Sequence, residues 1–141
     1  MCIDDHHKGN FAMPLRGLTL LIVEPNALVA LDSQDALMDA GAKSVVISNS
    51  FEEGIELLVA AGTLHATIVD IDLGRPSGIA QAQRLVAMGV PFSFASSYSP
   101  VGLLPDNLIN VPFVSKPYLA TSLIEALVVA LQKGAPSEEA I

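Results

Sequence analysis

The stretch Ile68-Val69-Asp70-Ile71-Asp72-Leu73-Gly74-Arg75-Pro76-Ser77-Gly78-Ile79 decides how the rest of the chain is read. It is the end of an apolar strand that runs into two carboxylates, Asp70 and Asp72, and then into a Gly/Pro-marked loop before a helix. In an open α/β sheet, ligands gather beyond the carboxyl ends of the strands, so an acid at that point stands where chemistry takes place. An Asp just past a strand is also an ordinary turn starter and helix cap. Which reading holds depends on what other residues the sheet brings to the same edge.

The 141 residues have the length of one domain and suffice to bury a core. Apolar residues make up 51% of the chain, yet no run approaches the roughly eighteen uninterrupted apolar residues of a membrane span. Seven Lys and Arg against fifteen Asp and Glu give a formal charge of −8, which repels phosphate backbones. No nucleic acid and no membrane are therefore expected as partners. A single cysteine, Cys2, rules out an intramolecular disulfide, and the start Asp4-Asp5-His6-His7-Lys8 lacks the apolar region of a secretory signal. A soluble, cytoplasmic protein is expected.

Residues 1–16 read as a flexible extension. Cys2, His6 and His7 are metal-ligating residue types there, without the spacing of a known site. Leu18 to Val23 is a continuous apolar run, the pattern of a parallel strand buried on both faces. It stops at Glu24-Pro25-Asn26, and Val29, Ser33, Ala36, Leu37 and Ala40 then form a helical face that Gly41 terminates. Lys43–Ile47 is a second strand, and Ser50-Phe51-Glu52-Glu53 is a capping box that opens a helix to about Ala61. Ala66–Val69 is the third strand, and the helix from about Gly78 to Gly89 turns Ile79, Ala82, Leu85 and Val86 inward. A fourth strand covers Pro91–Ala95, and Val101 to Asn110, interrupted by Gly and Pro, holds only a short or broken helix. Val111–Val114 is a fifth strand, which Pro112 assigns to the sheet edge because it cannot donate to a ladder. Leu119 to Leu131 is a helix with Ala120, Leu123, Ile124, Leu127 and Leu131 on one stripe. Residues 133–141 are an acidic tail. Five strands alternating with helices imply one doubly wound α/β domain over residues 17–132, a five-stranded parallel sheet with helices on both faces.

In such a fold Glu24, Asp70, Asp72, Ser96 and Lys116 all fall at strand C-termini and converge. Here the chain resembles the receiver domains of two-component response regulators. Ile22-Val23-Glu24 resembles the acidic end of their first strand, Ile68-Val69-Asp70-Ile71-Asp72 their phosphoacceptor strand, and Phe113-Val114-Ser115-Lys116-Pro117 their Lys-Pro turn. Pro91-Phe92-Ser93-Phe94-Ala95-Ser96-Ser97-Tyr98 looks like the Pro-Phe-x-Phe-Ala-Thr-Gly-Tyr signature of the FAT GUY receivers, with Ser in place of Thr and of Gly at 96 and 97. That subgroup consists mostly of stand-alone regulators, several linked to general stress signalling. The resemblance implies the flavodoxin-like strand order 2-1-3-4-5, a cis peptide before Pro117, and phosphorylation of Asp70 by a histidine kinase or phosphotransfer protein.

The chemistry has its own reasons. A carboxylate such as Asp70 takes up a phosphoryl group as an acyl phosphate, and the dispersed charge of the transfer calls for a cation, an ammonium and a hydroxyl around it. Lys116 supplies the ammonium and Ser96 the hydroxyl. Mg²⁺ seeks oxygen ligands in octahedral geometry, for which Glu24, Asp70 and the main-chain carbonyl of Asp72 are the candidates. Receivers usually carry two adjacent acids after the first strand; this chain has Pro25 in the second place, so a weak Mg²⁺ site is expected. Alternatives stand beside these roles. Glu24 favours the N-terminus of the first helix, with Pro25 in its first turn, and Lys116 and Ser96 taken singly are a solvated lysine and a turn serine.

Phe113 occupies the position of a switch aromatic in the family, and a plain core aromatic is the equal alternative. Val128 and Val129, with Val101, Leu103 and Leu104, suggest an apolar face built by the fourth helical segment, fifth strand and fifth helix, suited to a partner or a homodimer; a wide core stripe explains them equally. No room for an output domain is expected, so output is a protein contact. Two functions follow: a phosphorylation-controlled single-domain regulator with at most self-phosphorylation and autodephosphorylation as activity, or a degenerate receiver that binds proteins without phosphorylation. A small enzyme acting on a separate substrate lacks support, because no base stands beside a nucleophile and no Gly-rich phosphate loop follows the first strand.

Overall fold

The structure, a computed structural model, describes residues 13–48, 53–56, 64–71, 77–97 and 104–137. Each apolar run identified above becomes a short parallel strand: β1 (Thr19–Val23), β2 (Ser44–Ser48), β3 (Ala66–Asp70), β4 (Phe92–Ser96) and β5 (Phe113–Ser115). The helices between them are α1 (Ala27–Asp39), α2 (Ser77–Met88) and α3 (Ala120–Lys133), with a 3₁₀ turn at Asp106–Leu108 and helical residues at 53–56. All strands pair in parallel, in the order β2-β1-β3-β4-β5. This is the expected doubly wound arrangement. Ser50, which opens the expected capping box, lies outside the described residues.

The sheet is covered on both faces because its strands are apolar in both directions. On one face Leu21, Val69, Phe92 and Phe94 meet Ile55 and, from α2, Ala82, Leu85 and Val86. Phe92 and Phe94 touch edge to face, with ring centroids 5.5 Å apart. On the other, Leu20, Ile22, Ile68 and Ala95 meet Leu37 of α1 and Leu123 and Leu127 of α3. Helices α1 and α3 pack against each other on this side. The expected inward stripe of α3 holds at Leu123, Ile124, Leu127 and Leu131, but Ala120 is exposed while Ala126 and Ala130 are buried. Similarly Ala30 joins Ser33 and Leu37 on the buried side of α1.

Two boundaries move. Met13–Arg16 belongs to the folded unit: Leu15 is fully buried in the second core cluster, and its N–H donates to the Ala40 carbonyl at 3.0 Å. The buried Leu15 side chain is what anchors it. At the other end α3 runs on to Lys133, whose Nζ donates to the Asn110 carbonyl at 3.0 Å, and Asn107 donates to the Ser137 carbonyl at 3.1 Å. The first residues of the acidic tail therefore lie against the 3₁₀ turn. Pro112 falls just before β5 rather than inside it, and β5 is an edge strand as expected. The Pro112 carbonyl accepts from Phe94 N–H at 2.9 Å and from Ser93 Oγ at 3.2 Å, so the residue that cannot donate still fastens β5 to β4.

Candidate functional site

Parallel strands end along one edge, and the register places β1, β3, β4 and β5 so that Val23, Asp70, Ser96 and Ser115 close their ladders there. Glu24 follows β1 directly and Lys116 follows β5. Lys116 is held by its own backbone, which donates to the Ser96 carbonyl at 2.8 Å, and by the turn that follows, where the Lys116–Pro117 peptide is cis.

From that position the Lys116 Nζ reaches two carboxylates at once, Glu24 Oε1 at 2.5 Å and Asp70 Oδ1 at 2.6 Å. The environment is uneven. The Glu24 side chain is 3% exposed, whereas those of Asp70 and Lys116 are 16% exposed. The second Glu24 oxygen accepts the Asn26 N–H at 2.9 Å, and Asn26 in turn caps α1 by accepting from the N–H groups of Leu28 at 3.0 Å and Val29 at 3.2 Å. Burial pulls the Lys116 ammonium down, but hydrogen bonds to Asp70 and Glu24 and the charge of both carboxylates outweigh it, and the net shift is upward. The lysine is thus held in its charged form against both carboxylates.

Ser96 is buried at the end of β4, beside the residue that pairs with Asp70. Asp72 lies outside the described residues, as do Val101 and Leu103. Pro25 is exposed and carries no oxygen ligand in its side chain. Among the described residues no group of three His, Cys, Asp or Glu side chains is placed to hold a metal ion. Among the described residues Glu24 and Asp70 are the carboxylates that Lys116 bridges, and its ammonium already holds an oxygen of each, so they do not form a ready Mg²⁺ site.

Phe113, opposite Phe94 in the ladder, is half-buried against the first core cluster. It also lines a groove of about 530 Å³ with Pro117, Leu119, Ala126 and Val129. Of the two valines expected on this face, only Val129 lies in the groove; Val128 packs on the opposite core cluster, toward α1. At 100° per residue, adjacent helical positions point to different faces, so the two valines divide between the groove and the second core cluster. Leu104 packs inward on the first cluster.

A feature with no signal in the sequence is the pair Ser33 and Tyr118, 85 residues apart, whose hydroxyls lie 2.5 Å from each other. Burial pushes the Tyr118 phenol up, opposed by the Ser33 hydrogen bond. The bond ties the turn after Lys116 to α1, and Tyr118 lines a second groove of about 390 Å³ with Asn26, Val29, Asp32, Ser97 and Lys116. Asn26 is the N-cap of α1, so Pro25 lies before the helix and not in its first turn as expected.

No protein-family model matches the chain, and no curated protein does. Solved structures do. A response regulator from Thermotoga maritima is similar over 82% of this chain and 98% of its own, with a TM-score of 0.68 and 17% identity. The chemotaxis response regulator CheY4 of Vibrio cholerae gives 82% and 99% coverage, a TM-score of 0.66 and 17% identity. The PhyR receiver domain of Erythrobacter litoralis gives 89% and 98%, a TM-score of 0.64 and 19% identity. No helix among the described residues is long and apolar enough to cross a membrane. Strand order, helix placement and near-complete coverage of those neighbours together give this chain the fold of response regulator receiver domains.

Proposed function

We propose that the chain is a cytoplasmic single-domain response regulator that accepts a phosphoryl group on Asp70 from a histidine kinase or phosphotransfer protein and changes its protein contacts in response. The observation that carries this reading is the Lys116 ammonium 2.6 Å from Asp70 Oδ1, on a backbone hydrogen-bonded to Ser96. In the transfer an Asp70 carboxylate oxygen attacks phosphorus, the P–N bond to the donor histidine breaks, and its electron pair returns to the imidazole. Lys116 and the Ser96 hydroxyl offset charge on the phosphoryl oxygens, a role that preorganised donors fill without reorganisation. The groove holding Phe113, Pro117 and Val129 is the surface through which the signal would reach a partner or a second copy.

The experiment is incubation with acetyl phosphate and Mg²⁺ followed by mass spectrometry. A labile gain of one phosphoryl mass on the wild type and none on Asp70→Asn is expected. No gain on the wild type removes the reading and leaves the second one, a receiver fold that binds its partner without phosphorylation. That second reading is favoured by Pro25 and by the ion pairs that already occupy the acid pair.

A further inference from the structure

We infer that Lys116 serves as the resident cation of the Glu24–Asp70 pair, so that a divalent ion and the lysine ammonium compete for the same carboxylate oxygens. The inference rests on the receiver reading for the identity of the site, and on the structure for its occupancy.

The contacts of Glu24 and Asp70 with Lys116 point the same way. Glu24 is nearly sealed from water, with one oxygen on Lys116 at 2.5 Å and the other on the Asn26 N–H at 2.9 Å. Both of its oxygens are thus engaged and its side chain is 3% exposed, so a divalent ion joining it would share each oxygen with a donor already there. Displacing the second donor would also disturb Asn26, which caps α1 through two further N–H groups. Asp70 meets the same ammonium through Oδ1. Pro25, exposed and without a side-chain donor, adds no third ligand. Mg²⁺ demands near-ideal geometry and several oxygens, and sheds water reluctantly. An ammonium is satisfied by two or three acceptors in any direction it can rotate to. With two carboxylates and one lysine the cluster keeps one net negative charge, a weak attractor for a divalent ion. Glu24 thereby acts as a fixed counter-ion and brace for the start of α1. A divalent ion enters only when Lys116 leaves.

The distinguishing prediction is that removing the lysine improves metal binding. Mn²⁺ alone, titrated into the unphosphorylated chain and followed by electron paramagnetic resonance, is the probe. The wild type is expected to bind with a dissociation constant above about 1 mM, at the weak end of protein sites for divalent ions. Lys116→Met and Lys116→Gln are expected to bind at least about tenfold more tightly, a gain of about 1.4 kcal/mol. Lys116→Arg, which keeps the charge, should show no such gain. Wild-type binding clearly below 1 mM overturns the inference, and so does a neutral variant that folds by circular dichroism yet binds no better than the wild type. If Lys116→Met fails to fold, the glutamine variant, one atom shorter but still a donor, carries the comparison. Because the titration needs no phosphoryl donor, its outcome is independent of whether Asp70 accepts phosphate.

Discussion

Removing the Lys116 ammonium tests how the site and the fold depend on each other. In Lys116→Met the stem is replaced by an apolar chain of similar volume, so packing is nearly conserved and the loss is electrostatic. Exposed ion pairs contribute about 0–1 kcal/mol, while breaking a buried one costs about 3–5 kcal/mol. This cluster lies between the limits, since Glu24 is 3% exposed but Asp70 and Lys116 are 16% exposed. Without the lysine, two carboxylates that shared one nitrogen face each other, and two unit charges about 5 Å apart repel by roughly 3 kcal/mol at an effective dielectric of about 20. Water entering from the Asp70 side screens part of this. A destabilisation of about 2–4 kcal/mol is expected, a large share of the roughly 5–15 kcal/mol typical of a domain. Urea denaturation of the wild type, Lys116→Met, Glu24→Gln and the double variant supplies a thermodynamic cycle. Neutralising Glu24 removes the charge left without a partner, so the double variant should be more stable than the sum of the single losses predicts, by about 1–3 kcal/mol. Additive losses within about 0.5 kcal/mol would refute the reasoning, because they would mean that Lys116 and Glu24 do not feel each other across 2.5 Å.

Three further outcomes are expected. Asn26→Ala deletes the acceptor of the Leu28 and Val29 N–H groups and should cost about 1 kcal/mol in urea denaturation, with Asn26→Asp retaining most of the stability. Gly54→Ala places a Cβ 2.8 Å from Leu21 Cδ1 and 3.1 Å from Ser48 Cβ; since Leu21 is fully buried, the shift should cost about 1–3 kcal/mol, read as a lower thermal midpoint. Alkaline pH should weaken the fold. Lys116 and Tyr118 both titrate higher in the folded chain than free, so the folded state holds more protons than the unfolded one above pH ~10, and the stability they contribute is complete below that pH and lost as it rises through the folded values. The decline should be shallower in Tyr118→Phe; equal slopes in urea denaturation between pH 9 and 11 would contradict the assignment.

The sheet was legible because its strands are apolar on both faces, a pattern that needs no tertiary information. Alternation of strand and helix then brings the strand ends to one edge, so Asp70, Glu24, Ser96 and Lys116 could be grouped although they are far apart in sequence. What those residues do to one another was not legible. Glu24 was expected either as a metal ligand or as a helix-terminus acid; it is bonded to Lys116 and to the Asn26 N–H, a geometry set by how far a lysine reaches across three strands. The Ser33–Tyr118 bond depends on α1 and the turn after β5 meeting in space, and neither hydroxyl carries a local signature. Val128 and Val129 show the limit of reading a helix that is apolar nearly all round. Periodicity gives the axis of the stripe but not its width, and the width decides which valine stays exposed.

Leu15 bears on how the molecule can be handled. Its burial, with the Leu15 and Gly17 N–H groups bonded to the Ala40 and Gly41 carbonyls, fastens the incoming chain where the strands begin. The five residues of β1, at about 3.3 Å each, then separate this entry from Glu24 and Lys116. The described residues therefore have two poles, a moored one where the polypeptide arrives and a charged one where Glu24, Asp70 and Lys116 gather. A fluorophore or affinity handle attached at Met13 therefore stands at the moored pole, the length of β1 away from the carboxylates.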